Sequence, residues 1–178
     1  MAVSGVMAED RALSLRWLLD ELCKAGRLSA ETAERVARTP RTPGARLHPL
    51  QLLADQAVED AAHPGHLLNM ARLLEWLAQH CRQPLAHIDP LKINVTAVTE
   101  VMSFEFAQRH RILALEVTPE KVVVASAEPM IERWELDLEH VVRRPIRRVL
   151  ADPADIDRYT VEFYRLARSV KGATGQEV

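Results

Sequence analysis

His63, His66, His80, Cys81 and His87 are the residues of this sequence whose side chains could ligate a metal or relay a proton. A zinc site built from such ligands brings them in pairs about two to four residues apart, with a second pair further along. His63 and His66 flank a Pro64-Gly65 break, and the other three follow in no zinc spacing. Surface and helix-cap positions account for all five, so no metal site is expected. A second group, Arg143, Arg144, Arg147 and Arg148 around Pro145-Ile146, has the charge to grip an acidic partner or an anion. The same residues suit a solvated strand edge, where basic side chains and proline discourage unwanted pairing. Asp152, Asp155 and Asp157 follow closely enough to balance that charge locally. A third group, Glu128, Glu132, Glu135, Asp137 and Glu139, would need a pocket that drives two carboxyl pKa values apart before it could do acid–base work. Its acids instead spread around a helix anchored by Ile131, Trp134 and Leu138.

The local motifs of common catalysts are missing. There is no glycine-rich loop ending in Gly-Lys-Ser/Thr and no Gly-x-Gly-x-x-Gly, and six glycines are few for cradling a triphosphate. No Gly-x-Ser-x-Gly elbow or Cys–His signature nominates a nucleophile. The expectation is a non-catalytic chain with no cofactor. A net charge of -2 lacks the basic footprint of a nucleic-acid binder, and three Trp, three Phe and two Tyr supply no base-stacking platform. Cys23 and Cys81 fall within apolar helical patterns, whereas a secreted disulfide scaffold would carry several more cysteines. The first residues show no basic stretch before an apolar run, and no apolar run approaches the ~20 residues that cross a bilayer. A cytoplasmic location without direct membrane insertion is expected.

The elements that must position these residues divide by pattern. Leu15, Leu18, Leu19 and Leu22 recur at three- and four-residue spacing in a helix over 9–25, with Leu13 and Trp17 widening the apolar face. Gly26 stops it and Ser29 caps a second helix to about residue 38, a packing hairpin rather than a DNA reader. The first helices are richer in apolar surface than a small helical domain requires, and could offer a groove to a partner helix. Thr39 to Gly44 forms a connector, and helices follow over 49–61 and 66–82. From residue 84 the pattern changes. A helix over 96–110, strands at 112–117 and 122–127 around Thr118-Pro119-Glu120-Lys121, a helix over 128–140 and a strand at 145–150 are expected. Asp152-Pro153 then opens a last helix to about residue 170. The fold class is α+β: an all-helical subdomain over 1–83, then a small α+β subdomain over 84–170 with a three- or four-stranded sheet covered by helices.

Leu18–Ser29, Trp76–Pro84, Ile88–Ile93, Phe106–Leu115, Val122–Pro129 and Ala151–Ile156, in this order, resemble the amino-terminal region of the GspE/PulE-type ATPases of type II secretion and type IV pilus assembly. The likeness runs from about residue 15 to 173. Its most specific part is Arg109-His110-Arg111-Ile112-Leu113, then a strand, then Ala127-Glu128-Pro129.

The resemblance implies a module that precedes a RecA-like motor and couples it to the cytoplasmic part of an inner-membrane platform protein. The chain would then be peripheral to the inner membrane through that partner, and 171–178 would be a tail or linker toward a motor domain in cis. The Walker loop that the family's activity requires is not in this sequence, so no ATP hydrolysis is expected of it. Leu15, Trp17 and Leu18 on the first helix, with Arg143, Arg144, Arg147 and Arg148, are the candidate partner contacts. Some family members bind cyclic di-GMP through paired Arg-Leu-Gly motifs, each completed by a glutamine on the following helix. Here Trp17-Leu18-Leu19 stands in place of the first motif, Arg46-Leu47 is followed by His48, and His80 replaces the glutamine. A cyclic di-GMP sensor is the alternative, and it would rest on Arg16, Arg46 and His80.

Overall fold

The structure, a computed structural model, describes residues 10–175. Among them are eight α-helices and one three-stranded sheet. The first four helices are α1 (Leu15–Lys24), α2 (Ala30–Arg38), α3 (Pro49–Asp55) and α4 (Met70–Cys81). A short 3-10 turn at Pro90–Lys92 leads to α5 (Val95–Thr99) and α6 (Phe104–His110). Then come β1 (Ile112–Val117), β2 (Val122–Ser126), α7 (Arg133–Val142), β3 (Ile146–Leu150) and α8 (Pro153–Thr174).

The helix ends follow local chemistry. The Ser14 hydroxyl accepts from Trp17 N, so α1 starts at Leu15 and residues 10–14 form a non-helical strap. Gly26 at φ +70° turns the chain, and Ser29 caps α2. The second hairpin repeats the device with Ala57 at φ 49° after α3 and Asn69 as the cap of α4. Both α3 and α4 are shorter than the 49–61 and 66–82 that periodicity predicts, because residues 58–68 make a loop closed by a Glu59–Leu67 bridge. The expected 96–110 helix is two, divided where Ser103 caps α6. The helix expected from residue 128 begins at Arg133, since Glu128 and Pro129 stay in a turn. The last helix extends to Thr174, and 176–178 of the expected tail lie outside the described residues.

β1 and β2 pair antiparallel, with a register shift between Ala114 and Glu116, and β2 pairs in parallel with β3 across the α7 crossover. Leu85 adds a single parallel bridge to Leu150 beside the sheet. Apolar burial, worth about 1.5–3 kcal/mol per fully buried large side chain, is concentrated in two clusters. One gathers residues of Leu13–Ala78 together with Leu150, and the other runs from Ile88 to Tyr164 over the sheet, α5 and α8. Leu150 belongs to the first although its neighbours Val149 and Ala151 belong to the second, so the end of β3 is where the two meet.

Candidate functional site

The periodicity that buries Leu15, Leu18, Leu19 and Leu22 leaves Trp17 at the rim of α1, half-buried. There it meets two side chains one turn apart on α4, Trp76 and His80. The His80 ring stacks on Trp76 with centroids 4.9 Å apart, and Trp17 stands 5.7 Å from His80 and 6.5 Å from Trp76. Glu21, one turn beyond Trp17, reaches His80 Nε2 at 3.4 Å while its other oxygen accepts from Lys24 Nζ at 2.7 Å. The Lys24 hydrogen bond holds the Glu21 carboxyl below its ordinary pKa, and the carboxylate in turn raises that of Lys24. The result is a half-buried Trp17 and an exposed His80 on a buried Trp76, with one ion pair at the edge. This composition anchors protein contacts, because broad rigid rings bury large areas at little entropic cost. Leu15 and Leu18, expected among the partner contacts, are buried in the helical core and support this surface from within instead. Trp76 is itself a core residue of α4, and its place beneath Trp17 and His80 is a tertiary relationship that helical periodicity does not carry.

Behind the patch a buried carboxylate fixes the two hairpins. Asp60 is fully buried and accepts from Arg27 Nε at 2.9 Å and Nη2 at 2.6 Å, from Ala62 N at 3.1 Å, and pairs with His63 Nδ1 at 3.0 Å. Arg72 of α4 adds an Nη1 contact at 3.8 Å. The Arg27 guanidinium, ahead of His63 and the backbone, holds this carboxyl far below the usual carboxylate range. His63 is therefore part of the Asp60 network, which His66 joins only through its backbone, His66 O accepting from Asp60 N at 2.8 Å, while His80 lies against Trp76.

The basic run divides in two. Arg143, in the left-handed cap of α7 at φ 53°, and Arg144 and Arg147 are exposed. Arg148 folds back instead, donating Nη1 to Ile131 O at 2.8 Å and Nη2 to Glu132 at 2.9 Å, with Nε 3.7 Å from Glu135. Its expected place among the partner contacts is corrected, because its guanidinium is spent inside the fold. The acids expected to balance this run are engaged elsewhere: Asp152 caps α8, Asp155 pairs with Arg158, and Asp157 pairs with Arg111.

The acid run likewise disperses. Glu132 and Glu135 serve Arg148, Glu139 accepts from Ile146 N, and burial pushes the Glu135 carboxyl up. Glu128 joins the two halves of the molecule. Its Oε1 lies 3.0 Å from His48 Nε2, and its Oε2 accepts from Leu13 N at 2.8 Å. Close by, Asp10 accepts from Glu132 N and Arg133 N at 2.9 and 3.1 Å, capping α7, which makes no side-chain cap of its own.

Arg16, Arg46 and His80 occupy three separate places. Arg16 lines an α1–α2 groove with Glu34 and Arg41, Arg46 borders a cavity against α6 and α8, and His80 belongs to the aromatic patch.

With this geometry, comparison with known proteins is direct. Residues 81–170 match the model of the MshEN domain. The type IV pilus assembly ATPase TfpB of Acinetobacter baylyi is 36% identical over 170 residues, 93% of this chain. The chain spans only 29% of the length of that relative. Among solved structures, MshE with cdg superposes with a TM-score of 0.53 at 17% identity, covering 83% of this chain and 98% of that one. The N-terminal domain of XpsE superposes with a TM-score of 0.48 at 15% identity, over 84% and 96% of the two chains. Nearly all of the chain is thus similar in sequence to part of a type IV pilus assembly ATPase, and the chain belongs to the MshEN domain family.

Proposed function

We propose that this MshEN domain is a non-catalytic docking module that couples a secretion or pilus-assembly motor, carried in cis, to the cytoplasmic domain of an inner-membrane platform protein. The observation that carries the reading is the Trp17–Trp76–His80 group, a half-buried indole and an exposed imidazole seated on the buried Trp76 of a well-packed helical scaffold. Trp17 packs one side on Trp76 and His80 and keeps open apolar area on the other, and burial of one indole is worth several kcal/mol at a contact. Arg143, Arg144 and Arg147 offer a second, electrostatic contact that steers approach more than it adds affinity. Attachment to the membrane would be through the partner, since no helix among the described residues is long and apolar enough to cross a bilayer.

The test is calorimetric titration of the chain with the platform protein's cytoplasmic domain. Trp17→Ala with His80→Ala should weaken binding by roughly a hundredfold, and Arg144→Glu with Arg147→Glu by about tenfold with a marked salt dependence. Unchanged affinity in the Trp17 variant would overturn the assignment. A second reading, cyclic di-GMP sensing, is favoured by the paired hairpins that each turn through a left-handed residue, Gly26 and Ala57. Against it stands the separation of Arg16, Arg46 and His80. Saturable heat with cyclic di-GMP, lost in Arg16→Ala or His80→Ala, would favour it.

A further inference from the structure

We propose that the cavity between α6, α8 and the loop preceding α3 binds a small organic oxyanion, a carboxylate or phosphate monoester carried on an apolar body. The inference stands apart from the docking patch and shares only Arg46 with the dinucleotide reading, which uses nothing on α6 or α8. It rests on the unused hydrogen-bonding capacity of the walls. The cavity measures ≈ 380 Å³, within the span of roughly 300–1,000 Å³ that small-molecule sites occupy. Arg46 enters from the helical half, and its guanidinium makes no hydrogen bond or ion pair among the described residues. The opposite wall holds Arg111, whose Nε and Nη2 bind Asp157 at 3.2 and 2.6 Å and leave Nη1 free.

That pairing decides the sign of the site. Both Asp157 oxygens are already engaged, so the one carboxylate present offers little to a cation. The Gln108 amide adds two further N–H donors and one acceptor oxygen, none with a partner among the described residues. Thr160 donates its hydroxyl hydrogen to Ile156 O at 2.6 Å and keeps only lone pairs. Unmet donors therefore outnumber unmet acceptors, and a guanidinium presents them in the fork that matches a carboxylate or phosphate. Ala107 and the half-open Val161 line the same space with methyl groups, which select an anion with an apolar body over a bare ion.

The experiment is an amide chemical-shift titration of the full chain with phenyl phosphate, then with inorganic phosphate. The expected result is saturable shifts centred on residues 107–111 and 160–161, with inorganic phosphate at least roughly tenfold weaker. Arg46→Glu should lower phenyl phosphate affinity by roughly tenfold or more, as should Val161→Asp, while Arg41→Glu, the same charge change outside the cavity, should leave it intact. Both altered side chains are exposed or half-open, and an unchanged amide spectrum elsewhere verifies folding. Non-saturating shifts spread over all arginines, equal losses in the Arg46 and Arg41 variants, or equal affinity for the two phosphates would each overturn the proposal.

Discussion

His48 Nε2 donates to Glu128 Oε1 across 3.0 Å, joining the start of α3 to the β2–α7 turn eighty residues later. The donor is fixed by the other side of the ring, because Leu50 N donates to His48 Nδ1 at 3.2 Å and the ring proton must stand on Nε2. Glu128 completes the relay by accepting from Leu13 N. His48 is 1% exposed, so each group here is costly to leave unpaired.

His48→Ala is expected to cost about 2–4 kcal/mol, since it orphans Leu50 N and one carboxylate oxygen and opens a cavity. Glu128→Gln should cost about 1–3 kcal/mol, because one amide oxygen cannot serve both His48 and Leu13. Urea unfolding measures both, and a change below about 0.5 kcal/mol in either would contradict the relay.

Asp60 supplies an acid dependence. Its folded pKa is lowered from 3.8, so the stability it contributes is fully present above that value and drains away as pH falls below it. Asp60→Asn should cost about 3–5 kcal/mol at neutral pH by leaving Arg27 unpaired, and should flatten the stability slope below pH ~4. An unaltered slope in the variant would show that the acid sensitivity lies elsewhere.

Tyr164 gives the alkaline counterpart. Its hydroxyl donates to Met102 O at 2.7 Å, and burial pushes its pKa up to about 12. The raised value means that stability is intact below the ordinary tyrosine pKa of 10.0 and is lost as pH rises through the folded value. In a Tyr159→Phe variant, the remaining phenolate absorbance should titrate with a midpoint near 12 or coincide with unfolding. A reversible midpoint near 10.0 in the folded chain would disprove the burial argument.

Asp10 caps a helix 122 residues away. Asp10→Ala should cost about 1 kcal/mol and speed hydrogen exchange at the Glu132 and Arg133 amides, leaving the α1 amides unaffected. Uniform acceleration would mean that the strap stabilises the whole chain instead of the α7 terminus.

The sequence was most readable where structure is local. Gly26 and Ser29 announce the first hairpin, Thr118-Pro119 the β1–β2 turn, and Asp152-Pro153 the start of α8, because each feature acts within a few residues. The junction was opaque for the opposite reason. Glu128 reads as a helix-surface acid, yet its partners are Leu13 and His48, and the α7 cap is Asp10. Periodicity assigned a buried face to α1 but not its rim, so Leu15 and Leu18 were grouped with Trp17 although only the indole reaches the surface. Arg148 was indistinguishable from Arg147 by composition; strand alternation turns one inward to Ile131 O and the other outward.

The strap and its acceptors also impose an order on biosynthesis. The helical half leaves the ribosome with Leu13 N and His48 in need of Glu128, and with Asp10 awaiting an α7 that has not been made. Leu150, which completes the helical core, emerges later still. The nascent amino-terminal half must therefore wait through the synthesis of over a hundred residues, from the strap to Glu128, with this seam open. At roughly 5–20 residues per second that wait lasts on the order of ten seconds, the interval in which the growing chain is most exposed to chaperones and mispairing.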